Sequence, residues 1–381
     1  MEHPQSDSLL LYCRPGFEDE CAKEIAAAAR QHEVAGHARA KPNAGYVEFV
    51  PDEPGAAAQL SRSIRWRKLV FARTLLHAIG WQRALPTGDR VAALLPLIER
   101  AGGPFSAVWL ETADTNEAKE LSAFCRKFEG PLLAALRARG LVDATQGNRP
   151  RLHLFFTGSA AACIAVGSPG NASPWPMGIP RLRMPGGAPS RSTSKLAEAL
   201  LHWLPDGEDR RQLHAGVTAV DLGAAPGGWT WQLVQRDVQV TAVDNGPMDP
   251  GLMATGLVDH ERADAFRFRP RLPVGWMVCD IVEQPKRVAA LVAEWLARGW
   301  CERCVFNLKL PMKQRHAELE RCRALIDDTL GRSRSDWRIE FRHLYHDREE
   351  VTGYAAKENN RLAAARPARK NRSAPSDQAR K

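Results

Sequence analysis

Val217 to Leu222 is a short apolar run carrying one acid, Asp221, and it passes directly into Gly223-Ala224-Ala225-Pro226-Gly227-Gly228-Trp229. A buried strand that ends in an acid and feeds a glycine turn and then a helix, here through Leu233, severely limits the folds open to a chain. Gly223, Gly227 and Gly228 let the backbone turn sharply and come close to a ligand. The pattern is neither G-x-G-x-x-G nor a phosphate-binding loop, because no Lys-Ser/Thr follows. A nucleoside ligand without a polyphosphate suits it better. The surrounding order alternates. A helix fills about 193–204, with Leu196, Ala199, Leu200 and Trp203 at helical spacing. Strands follow at Val238–Val243, ending in Asp244, and at Trp276–Ile281, with Asp280 near its end. A helix at 285–299 precedes strand Cys304–Leu310, and another helix precedes strands near 337–346 and 350–355. This order predicts a doubly wound α/β sheet with its ligand at the carboxyl edge.

Ahead of that half lies 168–190, in which ten of 23 residues are Pro or Gly. Such a segment reads as a linker. Residues before it alternate strand-like and helix-like stretches: a strand at Leu9–Tyr12, a helix at Glu18–Arg30, a strand at Tyr46–Val50 and a short helix after Pro54. A basic strand near 64–73, a helix from Asp89 to Arg100, a strand at Phe105–Leu110, a helix at Glu117–Arg139 and strands at Leu152–Phe156 and Ala161–Val166 complete the series. Small α+β layers fit it, with a split near residue 60. The predicted units are therefore 1–60, 61–167, the linker 168–190, the α/β half 191–356 and a tail 357–381.

The net charge of +9 is unevenly spread, and residues 361–381 alone carry +6. That tail is rich in Ala, Pro and Ser and is predicted to be disordered, able to hold a polyanion. Within the folded part, Arg62, Arg65, Arg67 and Lys68 surround Trp66, a mixture suited to phosphate contact and base stacking. Arg181, Arg183 and Arg191 continue a second basic run toward Lys195. Two such clusters point to nucleic acid. The eight cysteines are too sparse for a disulfide scaffold, and Cys301-Glu-Arg-Cys304 has no second pair to build a zinc site. No metal is expected. No apolar run approaches the roughly 18 residues of a membrane helix, and the acidic start (Glu2, Asp7) is not that of a secretory signal. A cytoplasmic, membrane-free protein, taken as a monomer, is the expectation.

The stretch Asp221–Trp229 resembles motif I of S-adenosylmethionine-dependent methyltransferases, in the FtsJ/RrmJ-like family of RNA ribose 2′-O-methyltransferases. Ser190–Leu196, Val243–Met248, Trp276–Asp280, Phe306–Lys313 and Leu344–Thr352 are similar to the RlmM branch, which acts on bacterial large-subunit ribosomal RNA. The resemblance implies a Rossmann-like class I methyltransferase domain behind ferredoxin-like and THUMP-like RNA-binding domains. It also implies S-adenosylmethionine as cofactor and a cytidine of 23S rRNA as substrate. Its Lys-Asp-Lys-Glu tetrad falls on Lys195, Asp280, Lys309 and Glu350. Lys309 stands inside an apolar strand, where an unpaired charge is costly. Burial and nearby Lys195 are expected to lower its pKa, leaving a neutral amine to take the ribose 2′-OH proton. Asp280 would orient it, and Lys195 and Glu350 would position the nucleotide. For the cofactor, Asp244 would accept the ribose hydroxyls, Ala225, Pro226, Gly227 and Gly228 would line the methionine portion, Ser192 would hold its carboxylate, Asp264 would take the adenine amino group, and Asp280 would face the sulfonium.

No Asn/Asp-Pro-Pro-Tyr/Phe and no Pro-Cys occurs, so the usual patterns of base amino-group and pyrimidine-carbon methylation are missing. Cys279 is expected in the core, on the strand face opposite Asp280. Two rival readings stay open from sequence alone: a same-fold enzyme that methylates a base, and a catalytically silent rRNA-binding assembly protein.

Overall fold

Leu9, Leu10 and Leu11 are all fully buried, which makes β1 (Ser8–Tyr12) an interior strand covered on both faces. The computed structural model describes residues 7–358. In its first half, β1 is followed by α1 (Glu18–Gln31), β2 (Gly36–Ala40), β3 (Tyr46–Pro51), α2 (Ala56–Ser63), β4 (Thr74–Gln82), α3 (Arg90–Arg100), β5 (Ala107–Thr112), α4 (Leu121–Ala138), β6 (Arg151–Gly158) and β7 (Ala161–Gly167). These strands form one sheet in the order β2-β3-β1-β4-β7-β6-β5. β4 pairs antiparallel with β1 on one side and β7 on the other. The sheet therefore runs unbroken past residue 60, where the sequence suggested a split.

Two strand expectations need correction. Residues 64–73 are not a strand: Trp66–Lys68 is a single 3-10 turn, and β4 begins only at Thr74. The backbone there is committed elsewhere. Val70 and Phe71 N–H groups donate to the Glu24 carboxylate, and the Trp66, Leu69 and Arg73 carbonyls accept from Arg342. The missed β2, Gly36-His-Ala-Arg-Ala, has no β-branched or aromatic residue to announce a strand.

The second half contains α5 (Thr193–Trp203), α6 (Glu208–Gln212), β8 (Thr218–Leu222), α7 (Gly228–Val234), β9 (Gln239–Val243), α8 (Pro250–Met253), β10 (Val258–Glu261), β11 (Val274–Cys279), α9 (Pro285–Ala297), β12 (Cys301–Lys309), α10 (Arg315–Leu330), β13 (Trp337–Arg342) and β14 (Glu350–Lys357). The sheet order is β10-β9-β8-β11-β12-β14-β13. All pairs are parallel except those made by β14. β8 sits between β9 and β11, so the chain winds outward in both directions from the gap between β8 and β11, and a crevice opens at their carboxyl ends. β10, an edge strand carrying Asp259, His260 and Glu261, was not legible in the sequence. Lys357 closes β14, and the tail beyond Glu358 lies outside the described residues.

The halves share one apolar core. Phe17, Trp66, Leu69 and Phe71 pack in the same cluster as Trp295, Leu319 and Phe341. The segment 168–190 holds only a 3-10 turn, Pro176–Gly178, but it is fastened down. The Asn171 amide donates to the Ser61 and Ile64 carbonyls at 2.8 and 2.6 Å and accepts from Trp66 N–H at 3.1 Å. Gly178, at φ +69°, lies so close to Arg73 that a Cβ would come within 2.6 Å of its carbonyl. Only glycine fits there.

Candidate active site

Three acids stand at the carboxyl edge beside the crevice: Asp221 in β8, Asp244 just after β9 and Asp280 just after β11. Asp221 is buried and accepts from Thr230 Oγ1 at 2.6 Å. Burial, with the charges of Asp280 and Asp244, pushes its carboxyl up to about 7. Asp244 accepts from the N–H groups of Ala225 at 3.1 Å and Gly246 at 2.7 Å, which ties the glycine turn after β8 to the end of β9. Ser192, at the start of α5, packs on the same turn. A Cβ at Gly228 would meet Ser192 Oγ at 2.2 Å, Thr193 Oγ1 donates to the Gly228 carbonyl at 2.9 Å, and Trp229 Nε1 donates to the Ser192 carbonyl at 3.1 Å.

β12 and β14 set the other side. Lys309 and Glu350 are register partners across this antiparallel pair, and so are Asn307 and Thr352 two residues further in. Period-two alternation puts all four on one face. Lys309 Nζ lies 2.5 Å from Asp280 Oδ1 and 2.8 Å from Glu350 Oε2. Lys195, from the first turn of α5, pairs with Asp280 Oδ2 at 3.3 Å and with the second oxygen of Glu350. Two ammonium groups and two carboxylates thus alternate in a closed, largely buried array. Behind it, Asn307 Nδ2 donates to Asp280 Oδ1 at 2.9 Å, and Thr352 Oγ1 donates to Asn307 Oδ1 at 2.7 Å. Thr352 also lies 2.9 Å from Asp347 Oδ2. A hydroxyl has one proton, so with that proton on Asn307 the contact to Asp347 needs a protonated carboxyl. Burial and the Glu350 charge hold Asp347 well above the usual carboxylate range, in the required direction.

The array floors a cavity of about 660 Å³ lined by Ser190, Arg191, Ser192, Lys195, Asp280, Val282, Lys309, His346, Arg348 and Glu350. That is the size of a small-molecule or nucleotide site.

Comparison with known proteins decides the family. Residues 6–76 match the RlmM ferredoxin-like domain, residues 89–168 the N-terminal domain of ribosomal RNA large subunit methyltransferase M, and residues 188–298 the FtsJ-like methyltransferase domain. A ribosomal RNA large subunit methyltransferase M from Methylococcus capsulatus is 53% identical over 350 residues, covering 91% of this chain and 97% of that one. Proteins of the same name from Thauera aminoaromatica and Azotobacter vinelandii are 50% and 53% identical, again over 91% of this chain and over 95% and 97% of their own lengths. The chain belongs to the ribosomal RNA large subunit methyltransferase M family. It is an S-adenosylmethionine-dependent methyltransferase.

The strand-end acids fit the family's cofactor. Asp221 is raised first by burial and further by the Asp280 and Asp244 charges, and a sulfonium cation held nearby would favour its ionised form. Ser192 and Asp280 line the same cavity as the tetrad. Ala225, Pro226, Gly227, Gly228 and Asp244 lie at the adjoining ends of β8 and β9. Asp264 caps the turn beyond β10, accepting from Phe266 N–H at 2.9 Å, with Arg267 at 3.6 Å.

The expected depression of Lys309 is overturned. Burial does push its pKa down, but the Asp280 and Glu350 carboxylates outweigh burial, and the net direction is up. Sequence reasoning counted the neighbouring lysine and missed that both carboxylates touch the same amine. Trp66, in the basic cluster of the first half, is not the stacking platform expected of it. Trp66 is 1% exposed, buried beneath Arg67 and Arg342, and offers no face to a base. Lys68 pairs with Glu340. Arg67 donates to the His202 carbonyl at 3.3 Å. Arg62 and Arg65 are exposed, but neither they nor Arg181 and Arg183 line the tetrad's cavity; Arg191 does. Asn307, Thr352, His346 and Arg348 were missed as site residues. Asn307 was within reach of the sequence, because two residues before Lys309 in a strand means the same face.

Proposed function

We propose that this methyltransferase transfers the methyl group of S-adenosylmethionine to the ribose 2′-OH of a cytidine in 23S rRNA. The observation that supports it best is the closed array of Lys195, Asp280, Lys309 and Glu350 at the crevice between β8 and β11, inside a cavity of about 660 Å³. The substrate class follows the names of the relatives. When bound, the cofactor would supply an electrophilic methyl group, and Asp244, Asp280 and the glycine turn after β8 are the residues that would hold it. The protein's own part is to present the nucleophile and take its proton. Lys309 is the base in this reading, and it starts as an ammonium between two carboxylates. A cation beside Asp280 would loosen that proton; Lys309 gives it up to solvent before reaction, and the neutral amine then takes the proton of the 2′-OH. Lys195 keeps Asp280 and Glu350 in place, and Glu350, opposite Lys309 in register, receives the ammonium as it forms. The first half, ferredoxin-like and THUMP-like in this reading, binds the RNA. The enzyme acts in the cytoplasm as a monomer. Among the described residues no helix is long and apolar enough to cross a membrane.

The test is transfer of radiolabel from S-adenosylmethionine to undermethylated ribosomal RNA, with the modified nucleoside identified by mass spectrometry. Label on a ribose 2′-oxygen, abolished by a 2′-deoxy target nucleotide, is the expected result. Label on a base would replace ribose methylation with base methylation.

A further inference from the structure

A second cavity, of about 410 Å³, lies against the first. Arg14, Pro15, Asp114, Tyr345, His346, Asp347 and Arg348 line it, and His346 and Arg348 belong to both. It sits where the two halves meet, with Arg14 from the turn after β1 and Arg348 from the loop between β13 and β14. Its carboxylates are spent elsewhere. Asp114 pairs with Arg73 at 3.0 Å, Glu349 beside the rim pairs with Arg315 at 2.6 Å, and Asp347 is turned to Thr352. Arg14 and Arg348 are left with no carboxylate partner among the described residues. Arg73, stacked on the Tyr345 ring at 5.3 Å, has a buried Nη2 with no acceptor. Burial and the Arg73 charge press Arg14 below the usual arginine range. The site carries guanidinium charge in excess of its anions.

The wall is also rigid before any ligand arrives. Glu198 accepts from the N–H groups of Tyr345 and His346 and from His346 Nδ1 at 2.8, 3.0 and 2.6 Å. His343 N–H donates to the Val70 carbonyl at 2.9 Å, and Arg14 Nη1 reaches the Tyr345 carbonyl at 3.3 Å. A loop pinned from both halves pays little ordering entropy on binding. From the excess of guanidinium charge, the shared wall with the catalytic cavity and this rigidity, we infer that Arg14 and Arg348 form a subsite for an RNA phosphodiester flanking the target nucleotide. The inference rests on the RNA-methylating reading above. It gives the first half a direct part in holding the strand, at Arg14 rather than at the Arg62–Lys68 cluster.

The test uses the full chain and a labelled RNA fragment containing the target. Arg348→Gln removes a side chain with no hydrogen-bond or ion-pair partner among the described residues and leaves its backbone carbonyl free to accept from His343. It is the decisive variant, since Arg14→Gln also gives up the Tyr345 contact. Each is expected to weaken RNA binding about tenfold near 0.1 M salt and to lower the slope of log affinity against log salt by about one. Affinity for S-adenosylmethionine stays unchanged. A neutral methylphosphonate, stepped through the flanking phosphates, should cost wild type the same factor at one position and cost Arg348→Gln nothing further there. RNA affinity and salt slope unchanged in both variants overturn the subsite. So does a loss of affinity that no methylphosphonate position reproduces. Wild type that binds the cofactor but methylates no ribosomal RNA removes the functional reading, and the subsite with it.

Discussion

Asn307 Nδ2 donates to the same oxygen of Asp280 that holds Lys309, at 2.9 Å beside 2.5 Å. The amide and the ammonium draw on the same oxygen, so the amide bond lowers that oxygen's basicity toward the lysine proton. Thr352 and Asp347 fix the amide in that orientation from behind.

Asn307→Ala removes the competitor. Asp280 then holds the Lys309 proton more tightly, and the base is freed only at higher pH. The expected outcome is a fall in kcat of about tenfold at neutral pH and an acid limb of the pH–kcat profile displaced to higher pH. Affinity for S-adenosylmethionine should stay within threefold of wild type. An unmoved profile with unchanged kcat would show that Asn307 does nothing to the base.

Lys309→Ala should cost about 10²–10⁴ in kcat, the usual worth of a general base, while cofactor binding measured by calorimetry persists. Glu350→Gln separates two roles. It keeps the shape across from Lys309 but removes one of the two charges that raise the lysine pKa. Its pH–kcat profile should shift to lower pH, opposite in sign to that of Asn307→Ala.

Asp221 makes stability depend on pH. Its carboxyl is raised from an ordinary value near 4 to about 7 by burial and by Asp280 and Asp244. The folded state therefore favours the protonated form. That contribution is fully present below the unfolded pKa and is lost as pH rises through about 7. Asp221→Asn cannot ionise, so the melting temperature of wild type relative to the variant should fall between pH 5 and pH 8. A pH-independent difference would mean that Asp221 ionises normally in the fold. Saturating S-adenosylmethionine should shrink the pH effect in wild type, because a bound cation favours the ionised form.

The α/β order and the strand-end acids Asp221, Asp244 and Asp280 were legible because they rest on local pattern: apolar strands, glycine turns and helical spacing. The contacts within the tetrad were not. Lys309 faces Glu350 because of the β12–β14 register, and nothing local in 301–310 or 350–357 sets that register. The sign of the Lys309 shift was lost with it, since it depends on both carboxylates reaching one nitrogen. Trp66 misled for a related reason. An aromatic among arginines reads as a nucleic-acid platform, yet the same composition serves a buried junction once Arg342, 276 residues away in sequence, stacks on the ring and takes the backbone carbonyls.

Arg342 is the last test, because it joins the halves through three hydrogen bonds. From β13 it donates to the carbonyls of Trp66 at 3.0 Å, Leu69 at 2.8 Å and Arg73 at 3.1 Å, all in the first half, while its guanidinium lies 4.5 Å from the Trp66 ring centre. Burial lowers it to about 10, so it remains charged at neutral pH. Arg342→Met keeps most of the stem, leaves the buried Leu69 and Arg73 carbonyls unpaired and leaves the Trp66 carbonyl only its bond from Leu69 N–H, at a cost of about 3–5 kcal/mol. Because the lost bonds all cross the junction, the loss should appear as separation of the two halves. Thermal unfolding that is a single transition in wild type should broaden or split, with protease cutting first within 168–190. Arg342→Lys restores the charge but cannot span three carbonyls, and should fall between the two. A Met variant that melts in one transition at the wild-type temperature would show that the shared apolar core alone fixes the halves.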